Sequence, residues 1–321
     1  MCSSLAVEKP LGGSSSGRSG KERGKLEAVC PDTTGQQSLA EAAASCLGRR
    51  LLSWRAAPGG FSPALRLIVR CADGTSVFVK GATDARTATW LRTEYQIYSQ
   101  VRAPFVPTMR AWQDNGALPF MALEDLSDAV WQAPWTPERV TRVRETLKQV
   151  AATLPPAWLP TLEERRPSFS GWAQVEQAPE PFLCLGLCSA GWLASSVAAL
   201  VAAEAAVQLG GDELVHGDVR SDNLCFVGDR VVLVDWNWAS RGNAIIDVAG
   251  WLPSLGVEDG PSPDTILPGQ PACAAAISGY FAARAGLPVE QATTEIRAVQ
   301  RAQLQVAMAW AVRALGLASI A

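Results

Sequence analysis

The chain contains one histidine, His216, and its eight cysteines form no C-x-x-C pair. Zinc sites built on paired Cys and His ligands are thereby excluded, and irregular Cys spacing over a long chain makes a poor disulfide framework. The thiols read as buried or inert. No apolar run approaches the roughly 20 residues a membrane span needs; the longest, Trp192 to Ala203, is far shorter. Residues 1–20 are rich in Ser and Gly and lack the apolar stretch of a secretory signal. No basic block occurs, and 28 Lys+Arg against 31 Asp+Glu give a net charge of -3. Neither a nucleic-acid partner nor a membrane is expected from such a balance. These absences predict a soluble, cytoplasmic chain. Lysine is scarce too. Of five, Lys9, Lys21 and Lys25 lie near the N-terminus, which leaves Lys80 and Lys148 for the folded body.

What is present suffices for a core: 48% of the 321 residues are of the AVILMFWYC class. The length suits two compact units or one bilobal unit. Residues 1–36 read as a disordered leader with little to bury. Ser38 and Glu41 have capping-box spacing and predict a helix starting there and running through LAEAAASCLGRRLL. Alternating runs from Ala64 to Arg70 and from Thr75 to Lys80, joined through Asp73-Gly74, predict a β-hairpin. From Thr87 to Val101 the period becomes helical. Beyond the apolar stretch Leu118 to Leu126, helices predominate. Thr136-Pro137-Glu138 predicts one helix start, and Ser195 to Leu209 reads as a long buried helix, ended by Gly210-Gly211 and lying under the loop that follows. Two short strands then flank Gly228-Asp229, and Pro-interrupted, Ala-rich helices complete the chain. β-rich followed by α-rich is an α+β arrangement with segregated halves.

The strongest chemical signal is LVHGDVRSDNLCFVGDRVVLVDWNW. Asp218 is followed five positions on by Asn223, and twelve positions later a strand ends in Asp235. Phosphoryl transfer from a magnesium nucleotide requires a carboxylate to take the proton of the attacking hydroxyl. It also requires hard oxygen ligands, an amide and a second carboxylate, to hold the metal. Base, Asn, strand and Asp in that order are the catalytic arrangement of the protein-kinase-like fold. The competing reading, Asp and Asn as loop caps and turn formers, does not account for all three elements in sequence. Lys80 ends a strand, and Glu94 lies fourteen residues later in the next helix, as a phosphate-binding lysine and its orienting carboxylate require.

Through HGDVRSDN, VVLVDWNWA and Ile246-Asp247-Val248-Ala249 the chain resembles the aminoglycoside phosphotransferase and choline kinase-like family, over about residues 45 to 315. The resemblance implies a bilobal α+β protein-kinase-like fold. A nucleotide-binding lobe would span 37–125, and a catalytic and acceptor-binding lobe 126–321. It implies an ATP- or GTP-dependent kinase of a small-molecule hydroxyl, with Asp218 as base and Asn223 and Asp235 as Mg²⁺ ligands. His216 and Asp247 would support the catalytic loop. Pro58 to Ser62, including Gly60 and Ser62, stands where the fold places its phosphate-covering loop, although G-x-G-x-x-G is missing; a plain hairpin entry is the alternative. Backbone groups near Leu123 to Asp125 would meet the adenine. Trp236, Trp238 and Trp251 either line the acceptor pocket or fill the core. From Val257 onward five acids face four arginines, a balance that argues against a polycationic acceptor, unless Glu163, Glu164 and Glu176 fold over the cleft. A non-catalytic nucleotide binder, a protein kinase and an aminoglycoside-resistance kinase proper are the rival readings. The absence of A-P-E after Asp235 weighs against the protein kinase.

Overall fold

The computed structural model describes residues 33–60, 62–131, 134–288 and 293–320. Most of the expected leader lies outside the described residues. The first lobe opens with helix α1 (Thr33–Cys46). Ser38 and Glu41 lie inside this helix, so they do not cap it. The helix ends before Gly48, and Leu51 and Leu52, expected to be helical, begin strand β1 (Leu51–Ala56). Then follow β2 (Leu65–Cys71), β3 (Ser76–Gly81), helix α2 (Ala85–Gln100), β4 (Met109–Gln113) and β5 (Phe120–Glu124). The strands form one antiparallel sheet in the order β1-β2-β3-β5-β4.

Strand alternation divides this sheet into two chemically different faces. Leu67, Val69, Val77, Val79, Phe120 and Ala122 turn to one side and pack with Ala40 and Ala43 of α1. Their neighbours in sequence, Arg66, Ile68, Phe78, Lys80 and Leu123, line a cleft on the other side. The hairpin register pairs Arg66 with Lys80, so two cations stand abreast on the cleft face. Helix α2 starts at a capping box in which Asp84 accepts from the Thr87 amide. Its core-facing side carries Leu91, Glu94, Ile97 and Tyr98, and Glu94 is thereby delivered beneath Lys80.

The second lobe is mostly helical. After the short strand β6 (Val130–Trp131) comes α3 (Pro137–Ala151), with Thr136 as N-cap and Pro137 at its first position. Next are α4 (Gly171–Gln177), α5 (Glu180–Leu183) and α6 (Ala190–Ala205). The helix expected over 195–209 thus starts five residues earlier, because Ser189 caps it through the Trp192 amide, and it has ended before Gly210. Only one side of it is buried. It packs on α4 and on the central helix α9 (Pro271–Ala285) rather than under the catalytic loop. Glu204 of α6 accepts from the amides of Trp172 and Ala173, at 2.9 and 2.7 Å, and so satisfies the first turn of α4. Strands β7 (Glu213–Val215), β8 (Leu224–Val227), β9 (Arg230–Leu233) and β10 (Ser240–Gly242) form two small ribbons, with β6 added to the edge of β8. Helices α7 (Ile245–Val257), α8 (Pro263–Ile266) and α10 (Thr294–Leu315) complete the lobe. Among the described residues no helix is long and apolar enough to cross a membrane. Of the described cysteines, Cys71, Cys225 and Cys273 are buried, whereas Cys46 and Cys184 are exposed.

Candidate active site

The cleft between the lobes encloses about 480 Å³. At its inner end the Nζ of Lys80 donates to both carboxylate oxygens of Glu94 at 2.8 Å and to Oδ1 of Asp235 at 3.2 Å. Burial alone would pull Lys80 down, but Asp235 and Glu94 outweigh it and hold the ammonium above its ordinary value. Burial pushes Glu94 up to about 8, with Lys80 opposing and Asp235 adding to the rise. Burial also acts to raise Asp235. The charge of Lys80 and hydrogen bonds from Glu94 and Lys80 overcome it and keep Asp235 well below the carboxylate range. Negative charge is therefore concentrated on Asp235. This residue follows β9 in the left-handed region, at φ 65°, a conformation costly for a non-glycine side chain and typical of functional turns.

The loop from His216 to Asn223 is fixed from beneath. Asp247, in the first turn of α7, accepts from the amides of His216 at 2.7 Å and Gly217 at 2.8 Å. The ring of His216 lies against Trp236, with 4.5 Å between centroids. Its Nε2 is 3.0 Å from the carbonyl of Val234, and its Nδ1 accepts from the Asp218 amide at 3.2 Å. Both contacts are satisfied by the neutral Nε2–H tautomer, and burial pushes the ring down to about 4. Gly217 has φ 78°, and a Cβ there would stand 2.4 Å from the carbonyl oxygen of Trp238, so only glycine fits. Asp218 receives Arg220 at 3.0 and 3.2 Å and the Nδ2 of Asn223 at 3.0 Å. Burial pushes Asp218 up to about 6, against the pull of Arg220.

Asn223 and Asp235 line the large cleft together with Lys80, Glu94, Gly60 and Leu123. Asp218 lines a second, smaller cavity of about 80 Å³, and its bond from Asn223 joins that cavity to the cleft. Because the Nδ2 of Asn223 is engaged by Asp218, its Oδ1 is the atom available to a cation. No three His, Cys, Asp or Glu side chains converge as a metal cage among the described residues. Two oxygen donors, one of them anionic, nevertheless suit a Mg²⁺ ion that completes its shell with water and phosphate oxygens. Asn237 donates to Asp235 at 2.6 Å, and its own buried Oδ1 has no protein partner, a further oxygen beside the donor set.

The side chains of two residues expected near the nucleotide are engaged by the protein itself. Ser62 accepts from Arg66, through Oγ at 2.6 Å and the carbonyl at 3.0 Å. Asp125 is tied to Ser76 and Ser127 in the turn after β5. The Gly-rich loop connects β1 to β2. Trp236 and Trp251 are wholly buried, and only Trp238 borders the cavity of Asp218. Glu163 pairs with Arg166, and Glu164 accepts from Thr161, so neither closes over that cavity. Sequence reasoning missed Arg66 and Arg220. Arg66 reaches under the loop so closely that a Cβ on Gly60 would lie 2.3 Å from its guanidinium carbon. Both sit in ordinary arginine contexts, and only the strand register and the loop's turn reveal their partners.

A model of the phosphotransferase enzyme family matches residues 53–292. The chain belongs to this family. Among curated proteins, none matches it in sequence. A choline/ethanolamine kinase family protein from Mesorhizobium loti shares its fold at 13% identity, with 88% of this chain and 98% of that one covered and a TM-score of 0.55. Macrolide 2'-phosphotransferase MphH from Brachybacterium faecium superposes at 14% identity, over 84% of this chain and 97% of its own, with a TM-score of 0.51. A macrolide 2'-phosphotransferase type I gives 18% identity, coverage of 86% and 98%, and a TM-score of 0.51. The expected bilobal, protein-kinase-like α+β fold is thereby established.

Proposed function

We propose that the protein transfers the γ-phosphoryl group of ATP or GTP to a hydroxyl of a small molecule. The observation that carries this reading is the division of labour across the loop 217–223: Lys80, Asn223 and Asp235 face one cavity, and Asp218 faces the other. The large cleft takes the nucleotide, with Lys80 on its phosphates and the Gly59-Gly60 turn above them. Asn223 and Asp235 hold Mg²⁺, which supplies charge neutralisation at the phosphates when bound. Asp218 accepts the proton of the acceptor hydroxyl. The oxygen forms a bond to the γ-phosphorus, the bond from phosphorus to the β-phosphate oxygen breaks, and the nucleoside diphosphate leaves with that electron pair. Rate enhancement comes from positioning and fixed charge, with no covalent enzyme intermediate. The first lobe, 37–125, serves the nucleotide, and the second, 126–321, supplies the base and the acceptor site. The test is Mg-dependent release of ADP or GDP over a panel of hydroxyl acceptors. A protein that binds Mg-nucleotide but transfers phosphate to no acceptor, and hydrolyses none, is a binder and not a kinase.

A further inference from the structure

The cavity of Asp218 carries on its rim a positive charge whose carboxylate neighbour, Glu164, is hydrogen-bonded to Thr161 instead. Its walls are mainly apolar, including Phe169, Ile277, Tyr280 and Phe281. Two carboxylates reach it, and both are already engaged: Asp218 by Arg220, and Asp247 by the amides of His216 and Gly217. Arg165 stands on its rim, half-buried, with its guanidinium over the Trp238 ring at 5.0 Å from the centroid. Glu164 attracts it without closing to an ion pair, whereas the nearby Arg166 and Arg241 each pair with one carboxylate and Arg220 with two. Its protein hydrogen bond, to the carbonyl of Ala239, is stretched to 3.5 Å. A guanidinium beside an aromatic ring on the rim of a cavity can fork onto the oxygens of a planar or tetrahedral anion.

We propose that this cavity takes a small hydroxyl compound bearing a carboxylate or phosphate group, with the anion on Arg165 and the hydroxyl turned to Asp218. The inference rests on the phosphotransfer reading above and narrows its acceptor. At about 80 Å³ the cavity suits a compact molecule, smaller than the ligands that fill pockets of several hundred cubic ångströms. An amine in place of the anion would face Arg165 and be repelled. The transfer step and its proton balance are unchanged.

The test uses matched alcohols that differ only in one group, a carboxylate, a phosphate, an uncharged amide or an amine. Binding to the full chain with a non-hydrolysable Mg-nucleotide is measured by calorimetry, and turnover with Mg-ATP by ADP release. The carboxylate or the phosphate member should bind and turn over best, and which of the two does so identifies the anion. Arg165→Gln should raise KM for that member by about 10- to 100-fold. It should leave kcat, the neutral member and Mg-nucleotide binding unchanged, while Arg165→Lys restores part of the loss. Trp238→Leu, which removes the platform and keeps the charge, should act in the same direction should Arg165→Gln fail to fold. Preference for the amine or the amide, an equal effect of Arg165→Gln on all members, or no binding of either anion at millimolar concentration would overturn the proposal. Absence of Mg-nucleotide binding before any acceptor is added would instead refute the phosphotransfer reading, so the two failures are distinguishable.

Discussion

Arg220 donates to both carboxylate oxygens of Asp218, at 3.0 and 3.2 Å, from a position two residues further along the same loop. The rest of its guanidinium forks onto Asp222 at 2.9 and 2.8 Å. One buried cation thus sets the orientation of the proposed base. Arg220→Leu leaves Asp218 as an unpaired buried charge, which costs about 3–5 kcal/mol when a buried pair is broken on one side. Urea unfolding should show a lower midpoint and an unfolding free energy reduced by that amount. An unchanged midpoint would mean that Asp218 is held by Asn223 and the backbone alone.

Asp218→Asn keeps the shape of the side chain and removes the proton acceptor. Turnover should fall by at least about 10²-fold, the scale of general base catalysis. Mg-nucleotide affinity should persist, because Asp218 faces the other cavity. Near wild-type kcat on the true acceptor would exclude Asp218 as the base.

Asp235→Ala removes the only anionic member of the proposed metal pair, and Asn223 is neutral, so Mg-dependent nucleotide binding should be lost. Lys80→Ala should weaken nucleotide binding strongly. Arg66→Ala should weaken it less while loosening the loop that Arg66 ties down through Ser62 and Ala64. Calorimetric titration with Mg-ATP orders the three. Unaltered binding in both Asp235→Ala and Lys80→Ala would move the phosphate site elsewhere.

Glu204 lines neither cavity and offers a stability test. Burial pushes it up to about 7 from an ordinary 4.5, partly opposed by the amides of Trp172 and Ala173. The folded state therefore binds this proton more tightly than the unfolded chain. Its stabilising contribution is complete below about 4.5 and is lost as the pH rises through about 7, an upper bound of about 3 kcal/mol. Unfolding free energies of the wild type and Glu204→Gln at pH 5 and pH 8 should diverge, with the wild type losing ground at the higher pH. A pH-independent difference would remove Glu204 as the cause.

The fold was legible where local chemistry decided it. Asp73-Gly74 and the alternating runs on either side produced the hairpin with Lys80 at its end, and the H-G-D to Asp235 spacing carried the loop and strand order. Boundaries failed where a second signal competed. Ser38 and Glu41 have capping spacing, yet both lie within a helix that turns Ala40 and Ala43 onto the sheet. Gly210-Gly211 looked like a helix stop, but the chain leaves α6 at Ala205 to enter the loop before β7. Trp236 and Trp251 illustrate the harder limit. Adjacent aromatics near a site segregate between core and cavity by the turn of the backbone, and residue type carries no record of that turn.

The loop 217–223 has a consequence for how such a protein can change. One short segment lies between a cleft built from the sheet and a cavity built from α7, α9 and the turn bearing Arg165, and the bond from Asn223 to Asp218 is where the two meet. On the proposed reading, substitutions at Phe169, Ile277, Tyr280 or Arg165 would remould the acceptor site without touching Lys80, Asn223 or Asp235. Under that reading, donor chemistry and acceptor choice would be separately heritable, so a scaffold of this kind would acquire new substrates by replacing wallpaper rather than masonry.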